Sequence, residues 1–324
     1  MPPSADITFP ILFLIAGALL LYIGAEGLVR GSASVALRMR IAPLIVGLTI
    51  IAFGTSSPEL VVSIKAALKG NAEIALGNVI GSNICNIALI IGVAAIIRPI
   101  KVDKNFIKAD MLLMVGVTVL LILLMFDGTL DAIDGVIMFA GIIVYNVATI
   151  VSARKSSIDS VKIVEGDDVP EKSKSVAKDV VFIVVGLAVL ILGANIFVDG
   201  AVDIAKFLGA SDLIIGLTVI ALGTSLPELA TSIVAAIKGH AEISIGNAVG
   251  SNIYNILLIL GVAAMVTPIN SVNVNIVDVA VMLAVALILF PLSWTQQAIS
   301  RKEGVFLLLV YLSYMYYLST QMSV

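Results

Sequence analysis

Residues 52–60 read AFGTSSPEL and residues 221–229 read ALGTSLPEL, 169 positions apart. Each sets a glycine, a proline and a glutamate in the middle of an otherwise apolar run. At the same offset residues 44–100 align on 213–269 without a gap, with 38 of 57 positions identical. Chance does not produce that, so the chain carries an internal duplication.

The medium in which this duplication folds follows from composition. Of 324 residues, 60% are apolar and 13% charged, far from the balance of a soluble domain. Apolar runs of about 20 residues, each long enough to span a hydrocarbon layer, recur along nearly the whole length. The net charge of −3 comes from scattered acidic residues, and no basic patch suggests nucleic acid. A single cysteine, Cys85, excludes an intrachain disulfide or a zinc cluster. The N-terminal MPPSADITFP lacks a basic n-region, so the first apolar run reads as a retained helix.

Hydropathy and breakers predict ten spans, near 9–29, 43–68, 73–97, 107–126, 132–152, 179–199, 213–237, 242–267, 276–294 and 303–321. This is an all-α polytopic membrane protein: a five-helix half over 1–151, a polar linker over 152–178, and a second half over 179–324. With both termini outside, sixteen Lys and Arg fall in inner loops or the linker and three outside, which sets the linker in the cytoplasm and the chain in the cell membrane. Because five is odd, the second copy enters the membrane from the opposite side. Such inverted repeats place substrate near the midplane where they meet.

The duplicated motif carries the chemistry. Pro58 and Pro227 remove a donor and clash with the preceding turn, so they should kink their helices and free carbonyls, those of Ala52, Thr55, Ala221 and Thr224 being the candidates. A carboxylate at that depth costs at least ~2.5 kcal/mol and needs a partner. No Lys, Arg or His lies at the depth of Glu59 or Glu228, so the partner expected is a bound cation, and Ca²⁺ takes ~6 to 8 oxygens. The next span adds oxygens: GNVIGSNICN (77–86) and GNAVGSNIYN (246–255) set Ser82 with Asn86, and Ser251 with Asn255, four apart on one helical face. Gly77 with Gly81, and Gly246 with Gly250, form GxxxG steps that admit a neighbouring helix.

GTSSPE with GNVIGSNICN, then GTSLPE with GNAVGSNIYN, resemble the two alpha-repeats of the sodium/calcium exchanger family within the calcium/cation antiporters. The resemblance covers both halves and implies a ten-helix fold, of prokaryotic type without regulatory domains, that exchanges Na⁺ for Ca²⁺ by alternating access. It implies Glu59 and Glu228 as central Ca²⁺ ligands shared with Na⁺, completed by the carbonyls of Thr55 and Thr224. It implies Na⁺ sites lined by Ser56, Ser82, Ser225, Ser251 and the carbonyls of Ala52 and Ala221, with Asn86 and Asn255 flanking the centre. The first and sixth spans would slide to switch access. Some relatives, notably K⁺-dependent ones, have an acidic residue at one of the two Asn positions; Asn at both favours K⁺ independence.

Other readings compete. Two buried carboxylates also suit H⁺/Ca²⁺ or other cation antiport. A hydrolase built on Ser56 or Ser225 lacks a base at that depth, and a channel would be lined around an oligomeric axis. Asn86 and Asn255 could serve as interhelical glue. No enzymatic activity, cofactor or protein partner is expected. The expectation is a monomer in the bilayer whose substrates are Ca²⁺ and Na⁺.

Overall fold

The computed structural model describes residues 7–39, 41–156, 175–208, 221–272 and 274–321. They are almost wholly helical. Helix α1 (Thr8–Met39) is followed by α2 (Pro43–Thr55), α3 (Ser57–Leu68), α4 (Glu73–Ile97), α5 (Lys104–Asp127) and α6 (Ala132–Ser156). The second half holds α7 (Val176–Phe207), α8 (Ala221–Thr224), α9 (Leu226–Ile237), α10 (Ala241–Val266), α11 (Ile276–Gln296) and α12 (Arg301–Gln321). Seven described helices are long and apolar enough to cross a membrane, and the bent pair α2–α3 makes an eighth. Of the ten spans expected, the other two are α9, whose predicted start at 213–220 lies outside the described residues, and α12, which is long enough but less apolar. The linker drawn at 152–178 is helical at both ends, and its residues 157–174 also lie outside the described residues.

Helices α1 and α7 are each 32 residues long, where spans of 9–29 and 179–199 were expected. At ~1.5 Å per residue each measures about 48 Å, more than the ~30 Å hydrocarbon layer, so they tilt or project. Glycine explains the extra length. Gly17, Gly24 and Gly31 recur every seven residues along α1, as do Gly186, Gly193 and Gly200 along α7. The two helices run antiparallel with backbones nearly touching: a Cβ on Gly24 would lie 2.4 Å from the Leu190 nitrogen, and one on Gly193 2.7 Å from that of Leu21. These glycines keep the offset of 169, which extends the duplication to the first helix of each half. Past the apolar stretch the pair is closed by Arg38, whose Nε donates to the fully buried Asp179 at 2.9 Å.

Helices α4 and α10 are the most enclosed and form the centre of the main apolar cluster, with α5, α6, α11 and α12 around them. A second cluster joins α1 and α7 to one face of α2, α9 and α10. Two short antiparallel ribbons tie the halves together. Strand β1 (Ile100–Lys101) pairs with β4 (Ala298–Ile299), and β2 (Thr129–Leu130) pairs with β3 (Ile269–Asn270). The first ribbon lies in loops expected on the basic, inner side and the second in loops expected outside. Further contacts tie the same two ends: Lys238 Nζ reaches Glu26 Oε1 at 2.8 Å, and Thr267 Oγ1 donates to the Ala67 carbonyl at 3.1 Å.

Candidate ion-binding site

The duplicated motif breaks its helix one residue earlier than proline alone would dictate. Helix α2 stops at Thr55 and α3 begins at Ser57, bent by 42°, with Ser56 between them at φ −80° and ψ 4°. Pro58 sits in the first turn of α3, where its missing N–H costs nothing. The second copy does the same: Ser225 has φ −89° and ψ 4°, and Pro227 lies in the first turn of α9. Each break makes a helix N-terminus inside the bundle and puts a carboxylate, Glu59 or Glu228, in its first turn, at the positive end of the helix dipole. One expectation needs correcting: the Ala52 carbonyl is not freed, because it still accepts from the Ser56 amide at 3.0 Å and has only its second lone pair to offer. In the other copy the Ser225 amide donates to the Leu222 carbonyl at 3.1 Å.

The two breaks meet. Ser56 Oγ of the first half donates to Glu228 Oε1 of the second at 3.2 Å, and Ser225 Oγ donates to Ser82 Oγ at 3.4 Å. Glu59 and Glu228 are each 1% exposed and close enough to interact electrostatically. Ala52, Thr55, Ser56, Ser82, Asn86, Ser225, Ser251 and Asn255 are buried with them, and Thr224 is half-buried. Close approach is supplied by the second GxxxG step. A Cβ on Gly246 would lie 2.5 Å from the Leu44 carbonyl oxygen, and one on Gly250 2.7 Å from that of Leu48, so only glycine lets α10 take α2 against it. The residues equivalent to Leu44 and Leu48 in the second half, 213 and 217, lie outside the described residues, so the first GxxxG step, Gly77 with Gly81, has no described atom within 4 Å.

Five buried oxygens of this group have no hydrogen-bond partner: Glu59 Oε2, Glu228 Oε2, Asn86 Oδ1, Asn255 Oδ1 and Ser251 Oγ. Among the described residues the ion pairs lie elsewhere, Glu26 with Arg30 and Lys238 and Arg38 with Asp179, and the His240 ring lies 3.8 Å from Glu242 Oε1. Nor do they hold a cluster of three His, Cys, Asp or Glu. The arrangement therefore offers two carboxyl groups and several neutral oxygens, suited to a cation that is held and released.

Four residues that pattern reading passed over belong to the same assembly. Asn78 and Asn247 accept from the threonines of the opposite half, Thr224 Oγ1 at 3.5 Å and Thr55 Oγ1 at 3.2 Å. Asn83 and Asn252 accept from Asn255 Nδ2 at 2.9 Å and Asn86 Nδ2 at 3.0 Å. The signal was present for the first pair, since Asn78, Ser82 and Asn86 continue one i, i+4 row. Glu73 and Glu242 stand in the first turns of α4 and α10.

Comparison with known proteins agrees with the residues. The family described as sodium/calcium exchanger protein matches residues 9–151 and 178–320. The sodium/calcium exchanger MaX1 of Methanosarcina acetivorans is 33% identical over 296 residues, covering 81% of this chain and 85% of its own. The inner membrane protein YrbG of Escherichia coli is 36% identical over 257 residues, 79% of each chain. The fold superposes on the sodium-calcium exchanger NCX_Mj, soaked with 2.5 mM Na⁺ and 10 mM Sr²⁺, with a TM-score of 0.83 and 34% identity over 96% of this chain and 99% of that one. The chain is an integral membrane protein of the sodium/calcium exchanger family, a cation antiporter.

Proposed function

We propose that this chain exchanges Na⁺ for Ca²⁺ electrogenically and without K⁺, by alternating access in a ten-helix inverted repeat of the cell membrane. The observation that carries this reading is the meeting of Glu59 and Glu228 amid oxygens from both halves, with orphaned acceptors and no basic side chain among them. Each buried acceptor left unsatisfied costs roughly 1–3 kcal/mol, more for a charged group, and a cation returns that energy. One Ca²⁺ neutralises both carboxylates, and Na⁺ ions competing for the same oxygens displace it, so only a loaded site can be buried and reoriented. In this reading Glu59, Glu228 and the carbonyls of Thr55 and Thr224 hold Ca²⁺. Ser56, Ser82, Ser225, Ser251 and the carbonyls of Ala52 and Ala221 serve Na⁺, with Asn86 and Asn255 beside the centre.

Amides at both 86 and 255 supply no third carboxylate, which supports K⁺ independence. Orientation with both termini outside is supported by the basic residues gathered at the β1–β4 end. Alternating access is supported by the duplication itself, since two inverted copies meeting at a central site can exchange conformations. The α1–α7 pair, which meets α2, α9 and α10 through an apolar cluster apart from the main one, is the element that slides on the rest. The test is ⁴⁵Ca²⁺ uptake into Na⁺-loaded proteoliposomes. Uptake that needs the Na⁺ gradient and responds to membrane potential is expected; uptake driven equally by a H⁺ gradient would overturn the choice of counter-ion.

A further inference from the structure

The four asparagines at the centre form two relays that cross between the halves. In one, Asn252 Nδ2 donates to the Asn83 backbone carbonyl at 3.2 Å, and Asn252 Oδ1 accepts from Asn86 Nδ2 at 3.0 Å. In the other, Asn83 Nδ2 donates to the Asn252 carbonyl at 3.5 Å, and Asn83 Oδ1 accepts from Asn255 Nδ2 at 2.9 Å. All four side chains are buried. A backbone carbonyl can only accept, so it fixes which end of the first amide points toward it. That in turn fixes the second amide: its nitrogen is tied back and its oxygen, Asn86 Oδ1 or Asn255 Oδ1, is the end without a partner.

We infer that Asn83 and Asn252 are positioning residues for the ion site, each holding an asparagine of the opposite half with its nitrogen engaged and its oxygen offered as a ligand. This rests on the proposed role of Asn86 and Asn255 beside the carboxylates. The relay also explains why an amide stands at 86 and 255. In this chain the residue there donates on one arm and accepts on the other, and against these partners a carboxylate would set two acceptors facing each other. Glue between helices would leave the polarity of these amides arbitrary, whereas both relays run the same way and both end on an open oxygen.

The test is the KM for Ca²⁺ of ⁴⁵Ca²⁺ uptake by the full-length protein in Na⁺-loaded proteoliposomes, with thermal unfolding measured beside it. Asn252→Leu removes the acceptor and is expected to raise KM about tenfold with little change in maximal rate, as is Asn86→Ala. Because Asn252 acts through Asn86, the double variant is expected to be no worse than either single one. An unchanged KM in Asn252→Leu, or a double variant whose KM rises about a hundredfold, overturns the inference. Should Asn252→Leu not fold, the other relay is read instead: Asn83→Ala removes the acceptor for Asn255 and is expected to raise KM about tenfold, and an unchanged KM there overturns the inference equally. Glu59→Gln separates the two levels. Loss of exchange there with an unchanged KM in Asn252→Leu sinks the relay alone, and survival of exchange there sinks the site reading itself.

Discussion

Gly250→Ala tests whether α10 sets the ion site by admitting α2. A Cβ at 250 would lie 2.7 Å from the Leu48 carbonyl oxygen and 2.8 Å from Ala52 Cβ. To reach ordinary van der Waals distance, α2 must retreat by about 0.7 Å. Thr55 and Ser56 close the same helix, so the retreat stretches the bonds Thr55–Asn247 and Ser56–Glu228 from 3.2 Å to about 4 Å, beyond hydrogen-bond range. Overpacking of this kind costs about 1–3 kcal/mol. The expected result is lower thermal stability with a KM for Ca²⁺ raised about tenfold, since the site loses a serine and a threonine set by the retreating helix. Gly116→Ala is the control: it lies mid-helix in α5 with no described atom within 4 Å, and it should leave transport unchanged. A Gly250→Ala protein with KM and unfolding temperature equal to those of the parent would refute the argument that backbone contact at 250 positions the site.

Glu59→Gln and Glu228→Gln should each abolish Na⁺-driven ⁴⁵Ca²⁺ uptake, and survival in either removes that residue from the centre. Arg38→Met should destabilise by roughly 3–5 kcal/mol because it strips the guanidinium from buried Asp179, while Arg38→Met with Asp179→Leu should recover most of the loss; equal unfolding temperatures in all three proteins would contradict this. Glu26→Gln breaks an exposed pair with Lys238 and should shift stability by less than about 1 kcal/mol, as a thermal melt would register. In a Cys85→Ser background, Val272→Cys should react with a membrane-impermeant thiol reagent only from outside and Lys302→Cys only from inside; labelling of both from one face would undo the orientation.

The duplication, the class and the two carboxylates were legible because a charge, a proline and a glycine in an apolar run are costly enough to stand out singly. The lengths of α1 and α7 were not legible. Hydropathy reports contact with lipid, and past residue 29 these helices are held by each other through Gly31, Ile183, Arg38 and Asp179. The break at Ser56 was read as a proline kink in mid-helix, although the backbone resets before Pro58, where a new helix start accepts proline freely. Asn83 and Asn252 escaped because their partners lie about 170 residues away in the opposite half, and helical spacing speaks only for neighbours on one helix.

The two ribbons bear on how the molecule is made. Strand β1 is synthesised nearly two hundred residues before β4, and β2 well over a hundred before β3, so the first half leaves the ribosome with both of its membrane-facing loops lacking their pairing edges. Each half can be inserted helix by helix, yet neither can finish folding until the other has arrived. Once that has happened, a protease cut in the sequence that connects the halves should release nothing: two polypeptides would stay bound through β1–β4, β2–β3 and the helices between.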